Sequence, residues 1–76
     1  MSLLSELAIG QTARVVGVEG DDGVSVRLLE MGLIPGAEIA LLGRAPLGDP
    51  LEFQIQGYRL SLRQSEAVRV EIETIS

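Results

Sequence analysis

Residues 51–62 read Leu-Glu-Phe-Gln-Ile-Gln-Gly-Tyr-Arg-Leu-Ser-Leu, in which apolar and polar side chains alternate on both sides of one Gln-Gly dipeptide. This alternation is typical of two half-buried strands joined by a short turn. A two-residue turn at Gln56-Gly57 predicts that all six apolar side chains share one face, in the pairs Ile55–Tyr58, Phe53–Leu60 and Leu51–Leu62. A shift of one residue would expose that face, so the pattern specifies the register.

Three further strands are predicted outside this hairpin. Residues 12–18 are dense in β-branched side chains, residues 38–42 are mostly aliphatic, and residues 68–73 alternate between apolar and charged side chains. With the hairpin they make a mainly β fold of about five strands. An open sheet of this size would leave long exposed edges, and we therefore expect it to close into a small barrel.

One short helix is predicted between strands 1 and 2, over residues 24–31. Val24, Leu28 and Met31 recur there at helical spacing, so that Leu28 and Met31 pack under the sheet. Gly32 follows at once and is suited to the left-handed C-cap of a helix. Periodicity and stop signal therefore agree on where the helix ends.

Prolines and glycines mark two irregular segments. Pro35 and Gly36 have the order that a type II turn requires, with proline at its second position and glycine at its third. Pro46, Gly48 and Pro50 lie within a few residues of each other and predict a loop between strands. We interpret these five residues as structural.

The composition narrows the chemistry that the chain can perform. Its 76 residues fit one domain, residues 1–76, and include no cysteine, histidine, tryptophan or lysine. Thiol nucleophiles, imidazole bases and Cys/His zinc sites are therefore excluded. A net charge of −5 argues against binding to nucleic acid or to an anionic membrane surface. No apolar run reaches the roughly 18–20 residues of a membrane-spanning helix, and we expect a cytosolic domain without direct membrane insertion.

Three short motifs resemble the FeoA family. They are RLLEMGLIPG at residues 27–36, RAPLGDP at residues 44–50 and LSLR at residues 60–63, the last followed by Glu66-Ala67. The resemblance extends over residues 4–72, nearly the whole chain. It implies an SH3-like β-barrel in the cytoplasm that takes part in bacterial ferrous iron uptake, with the membrane transporter FeoB as its partner. The same type of domain occurs in iron-dependent repressors.

Two exposed regions are candidates for binding such a partner. The first is the loop of residues 44–50, where Leu47 lies at a tip between turn residues and is difficult to bury. The alternative is that Leu47 folds back onto the barrel. The second region is the end of the helix. The predicted partner-binding residues are Arg27, Glu30, Leu33, Ile34, Arg44, Leu47 and Asp49.

Asp21 and Asp22 are weak candidates for metal ligands. A hard cation takes about six to eight oxygen ligands, and the local sequence supplies few. Capping of the helix and a solvated turn explain both aspartates more simply. No cofactor and no catalytic residue is predicted, because no base, nucleophile or phosphate-binding glycine loop stands out.

The function predicted from these observations is that of a non-enzymatic accessory protein, which binds the cytosolic side of a FeoB-type transporter and modulates it. The alternative is a metal-responsive or self-associating regulatory domain like that of iron-dependent repressors. Weak homo-oligomerisation stays open under both hypotheses.

Overall fold

The computed structural model describes residues 2–75, in which six strands form one antiparallel sheet. The strands are β1 (Ser2–Leu3), β2 (Thr12–Val18), β3 (Glu38–Arg44), β4 (Leu51–Ile55), β5 (Tyr58–Leu62) and β6 (Val70–Thr74). Helix α1 (Gly23–Glu30) joins β2 to β3, helix α2 (Gln64–Ala67) joins β5 to β6, and a 3₁₀ turn at Leu4–Glu6 follows β1. The strand order is β1-β6-β2-β3-β4-β5.

The fold class is the predicted one, with two differences in the sheet. The extra strand β1 pairs with β6 through Ser2 and Ile72, and at two residues it is too short to show a pattern in the sequence. The expected closure of the sheet is absent, because β1 and β5 are the two ends of the order and do not pair within residues 2–75. Register shifts after Val15 in β2 and after Leu41 in β3 interrupt the ladders there, as bulges that bend a strand do.

The β4–β5 hairpin has the predicted register, with the pairs Ile55–Tyr58, Phe53–Leu60 and Leu51–Leu62. Gln56 and Gly57 both have positive φ angles, 46° and 88°, which the tightest two-residue hairpin turns require. Phe53 is buried, as the alternation predicts, whereas Tyr58 remains half exposed. The Tyr58 hydroxyl donates to the carbonyl of Met31 at the end of α1, so this polar group has a partner at the rim of the core.

The segment after β5 differs from the prediction of a short turn and a strand from residue 68. The chain forms α2 instead, where the Arg63 amide donates to the Glu66 carboxylate at 2.8 Å and Ala67 is buried. Val68 follows the helix and stays exposed, and the last strand begins only at Val70. A local side-chain bond to a free backbone amide thus extends a turn into a helix.

The core is apolar and is built from strands β2 to β6 and from the segments between them. Its buried members are Leu4, Leu7, Ala13, Val15, Leu28, Leu33, Ala37, Ile39, Leu41, Leu51, Phe53, Ile55, Leu62, Ala67, Val70 and Ile72. Met31 packs against this cluster and is partly buried. No helix within residues 2–75 combines the length and the apolar character that a bilayer crossing needs.

Candidate docking surface

Helix α1 begins at a carboxylate that the first turn of the helix and a distant arginine hold in place. Asp22 is the N-cap, and its Oδ1 accepts from the Ser25 amide at 3.2 Å. The Arg69 guanidinium binds the same carboxylate with both of its terminal nitrogens, at 2.6 Å to Oδ1 and 3.1 Å to Oδ2. Arg69 and the Ser25 amide lower the pKa of Asp22 from 3.8 to about 2. The carboxylate therefore stays charged at any physiological pH.

These contacts bear on the two candidate metal ligands. Asp22 uses both carboxylate oxygens within the protein, and Asp21 beside it is exposed. Within residues 2–75 no three Asp or Glu side chains come together as a metal ion would require. The structure thus gives Asp22 the capping role that the sequence favours.

The end of α1 is a Schellman motif, in which two amides beyond the helix bond back to its last turn. The Gly32 amide donates to the Leu29 carbonyl at 3.0 Å, and the Leu33 amide donates to the Leu28 carbonyl at 3.2 Å. Gly32 has a φ of 105°, which glycine adopts without strain. This motif brings the residue after the glycine onto the helix, and Leu33 is 0% exposed.

The prediction that Leu33 belongs to an exposed docking face is therefore wrong. Its neighbour Ile34 is 46% exposed, and Leu29 on the helix is 42% exposed. Leu29 was not predicted for this surface, although it lies off the face shared by Val24 and Leu28 at helical spacing. Together with exposed Glu30, these side chains form what we call the helix-end surface (Leu29, Glu30 and Ile34).

A turn follows Ile34 directly and fixes the direction in which the chain leaves the helix-end surface. The Ala37 amide donates to the Ile34 carbonyl at 3.1 Å, with Pro35 and Gly36 between them. Gly36 has a φ of 92°, as the third position of a type II turn requires. The direction of the chain beyond Ile34 is therefore set by its own backbone.

The loop of residues 45–50 is closed by two backbone hydrogen bonds. The Gly48 amide donates to the Ala45 carbonyl at 2.7 Å, and the Ala45 amide donates to the Pro50 carbonyl at 3.0 Å. Leu47 occupies the third position of the inner turn, where its side chain is 97% exposed. The alternative in which Leu47 folds back onto the sheet is therefore wrong.

Contacts at both ends hold this loop to the rest of the fold. The Asp49 carboxylate accepts from the Gln64 amide at 2.8 Å and lies 3.8 Å from the Arg63 guanidinium. On the other side, the Arg44 guanidinium reaches the Leu7 carbonyl at 3.5 Å. We call this loop, with Leu47 as its tip, the loop surface (residues 44–50).

Helix α2 contacts both α1 and the loop of residues 44–50. Arg27 of α1 forms an ion pair with Glu66 of α2, and Asp49 of the loop accepts from the first amide of the same helix. A helix of four residues has no periodic signal in the sequence, so the sequence does not predict these contacts. Arg27 and Asp49 are 22 positions apart in the chain, and both contact this short helix.

The family model described as the FeoA domain matches residues 2–74 of the chain. A protein of Porphyromonas gingivalis named as a fusion of Fe(2+) transport protein A with the Fe(2+) transporter FeoB is 44% identical over 73 residues. That match covers 96% of this chain and only 9% of the fusion protein. The similarity therefore concerns one small part of a much longer protein.

Solved structures give the same assignment. A crystal structure of FeoA from Stenotrophomonas maltophilia in complex with zinc is 35% identical, with a TM-score of 0.84 over 96% of this chain and 91% of that one. It is described as a prokaryotic SH3 domain protein. The FeoA-like protein of Clostridium acetobutylicum is 35% identical, with a TM-score of 0.89 over 100% of this chain and 92% of that one. The SH3-like fold expected from the sequence is thereby confirmed.

Proposed function

This chain belongs to the FeoA family, and we propose that it is a non-enzymatic accessory protein of ferrous iron transport that binds the cytosolic part of a FeoB-type transporter. The observation that carries this proposal is the Porphyromonas gingivalis fusion, in which a related domain and FeoB share one chain. Joining two proteins covalently raises their effective concentration toward each other, which favours a pair that acts in contact.

The loop surface supplies the contact that such binding needs. The backbone that carries Leu47 is held in a closed turn, so that docking costs little backbone conformational entropy. Burying its side chain contributes about 1.5–3 kcal/mol. The helix-end surface provides further apolar area through Leu29 and Ile34. Asp49 of the loop surface and Arg27 of α1 both contact α2, which favours a fixed arrangement of the loop and the helix when a partner docks.

The test is binding of the purified cytosolic part of the transporter from the same organism, measured by calorimetry for the parent chain and for Leu47→Glu. A charge at the loop tip must be desolvated on docking, so we expect at least a tenfold weaker affinity with an unchanged melting temperature.

A matched control places the same charge elsewhere. Val16→Glu also replaces an exposed aliphatic side chain, and the antiparallel pairing of β2 with β3 puts Val16 at the end of the sheet away from the loop. We expect it to bind like the parent. Equal binding by the parent and both variants would contradict the loop surface. Assembly driven by ferrous iron in sedimentation, without transporter binding, would favour the regulatory alternative.

A further inference from the structure

Strand β5 is an open edge of the sheet. Within residues 2–75 it pairs with β4 on one side and with no strand on the other. Tyr58, Arg59 and Ser61 are exposed along it. An unpaired strand edge presents backbone donors and acceptors to which another extended chain can add.

The register decides which backbone groups face the open side. In a hairpin with a two-residue turn, the residues flanking the turn form a hydrogen-bonded pair, and such pairs recur at every second position. The pairing of Ile55 with Tyr58 and of Phe53 with Leu60 therefore turns the amides and carbonyls of Tyr58 and Leu60 toward β4. The same groups of Arg59 and Ser61 point away from the sheet.

The edge strand is positively charged, although the whole chain is negatively charged. The chain carries a net charge of −5, yet residues 58–63 contain two arginines and no carboxylate. Arg59 forms no ion pair among residues 2–75, and Arg63 lies 3.8 Å from Asp49 with most of its side chain exposed. Glu52 on β4 is paired with Ser61 in register, but it forms no ion pair with either arginine in this part of the chain.

We propose that the open edge of β5 binds an extended acidic segment of a partner protein as an added strand. The backbone of Arg59 and Ser61 supplies the hydrogen bonds of such an addition. Carboxylates at alternate positions of the added strand lie beside Arg59 and Arg63, on the face where cross-strand pairs of opposite charge stabilise a sheet. Apolar side chains between them lie beside half-buried Leu60.

A second copy of this chain fits the edge poorly. Two β5 strands related by a two-fold axis through Ser61 would place Arg59 of each copy opposite Arg63 of the other. Like charges directly opposite each other destabilise a strand pair. The two arginines thus repel a second β5 strand and other basic segments, and they attract acidic segments. Both effects contribute to selectivity. This selection does not depend on whether the partner is the transporter.

The test uses a capped synthetic peptide, Glu-Val-Glu-Val-Glu-Val, and the amide spectrum of the isotope-labelled chain. We expect saturable shifts that are largest for the amides of Arg59 and Ser61. A peptide with lysine in place of each glutamate should give at least tenfold weaker binding. Shifts confined to other strands, or equal binding of both peptides, would overturn the proposal. Shifts at these amides that grow with protein concentration alone would overturn it in favour of a second copy.

Two variants separate the charge from the backbone. Arg59→Gln should weaken binding of the acidic peptide several-fold, whereas Arg14→Gln, which changes the net charge equally on β2 in the middle of the sheet, should leave it unchanged. Ser61→Pro removes an outward amide that is not part of the β4 ladder, and proline is tolerated at such edge positions. It should abolish the shifts while the β4–β5 cross-peaks persist. Parent-like binding by Arg59→Gln and Ser61→Pro would refute the added strand.

Discussion

Two irregular segments are built from similar residues but differ in the contacts of their side chains. One is the turn that leads into α1, and the other is the loop that joins β3 to β4. Each contains glycine with a positive φ, Gly20 at 97° and Gly48 at 90°, and each contains an aspartate. In the first turn, Gly20 lies under the Arg69 guanidinium, which grips Asp22. In the second, nothing lies within 4 Å of the space beside Gly48, and Leu47 next to it is almost fully exposed.

The two segments show which residues of this FeoA-family chain stabilise the fold and which are exposed to solvent. Asp22, one of the two weak candidates for a metal ligand in the sequence, starts a helix and binds Arg69, the residue before β6. Leu47 has an aliphatic side chain of the kind that usually packs in a core, yet it is left in solvent, as its place between turn residues predicts. The character of a side chain therefore predicts its role less well than the backbone position that carries it.

The largest expected effect comes from adding a methyl group at each glycine. Gly20→Ala and Gly48→Ala both force a non-glycine residue into positive φ, at about 1–2 kcal/mol. Only at Gly20 does the new carbon also collide with Arg69 and displace it from Asp22. Urea denaturation should show a moderately larger loss of stability for Gly20→Ala, because the new carbon meets the far end of the flexible Arg69 side chain. Equal losses would mean that the ion pair is not part of what holds the first turn.

An intermediate effect on the free energy of unfolding is expected when the pH is lowered and Asp22 becomes protonated. Its pKa falls from 3.8 to about 2 in the folded chain, so the stabilisation is fully present above pH 3.8 and is lost as the pH falls toward 2. Asp22→Asn keeps a capping side chain but no charge. The stability difference between parent and variant should shrink over this range in denaturation curves recorded from pH 6 to pH 2. A difference that does not change with pH would contradict the ion pair.

The smallest effect on stability is expected at the loop tip. Leu47→Glu changes a side chain that makes little contact with the rest of the fold, so its free energy of unfolding should stay within about 0.5 kcal/mol of the parent. The same denaturation series measures it. A loss above 2 kcal/mol would show that Leu47 packs in solution and would remove it from the loop surface.

The sequence predicts those parts of the molecule in which a pattern and a turn signal coincide. The register of residues 51–62 and the extent of α1 follow from alternation, helical spacing and one glycine each. Leu33 could have been placed correctly as well, because a glycine C-cap brings the next apolar residue onto the helix. Strand β1 and helix α2 are too short to have a period.

The ion pair between Asp22 and Arg69 joins residues 47 positions apart and has no local signal. The exposure of Leu47 was foreseen from the turn residues around it, but the support of the loop by α2 was not, since it depends on the Asp49 contact with Gln64. Contacts of this kind are set only when the whole sheet is in place. Short-range sequence patterns therefore predict the individual strands and helices, whereas the contacts between them are known only from the structure.

The position of β6 between β1 and β2 has a consequence for how the chain matures. Ser2 pairs with Ile72, and Arg69 binds the carboxylate of Asp22 at the start of α1. Segments early in the sequence therefore lack some of their contacts until later segments are present. During synthesis, the first two strands and the start of α1 leave the ribosome long before their partners do. The domain is therefore expected to gain its structure in one step only after residues 70–74 have been synthesised, since contacts between distant residues must first close long loops.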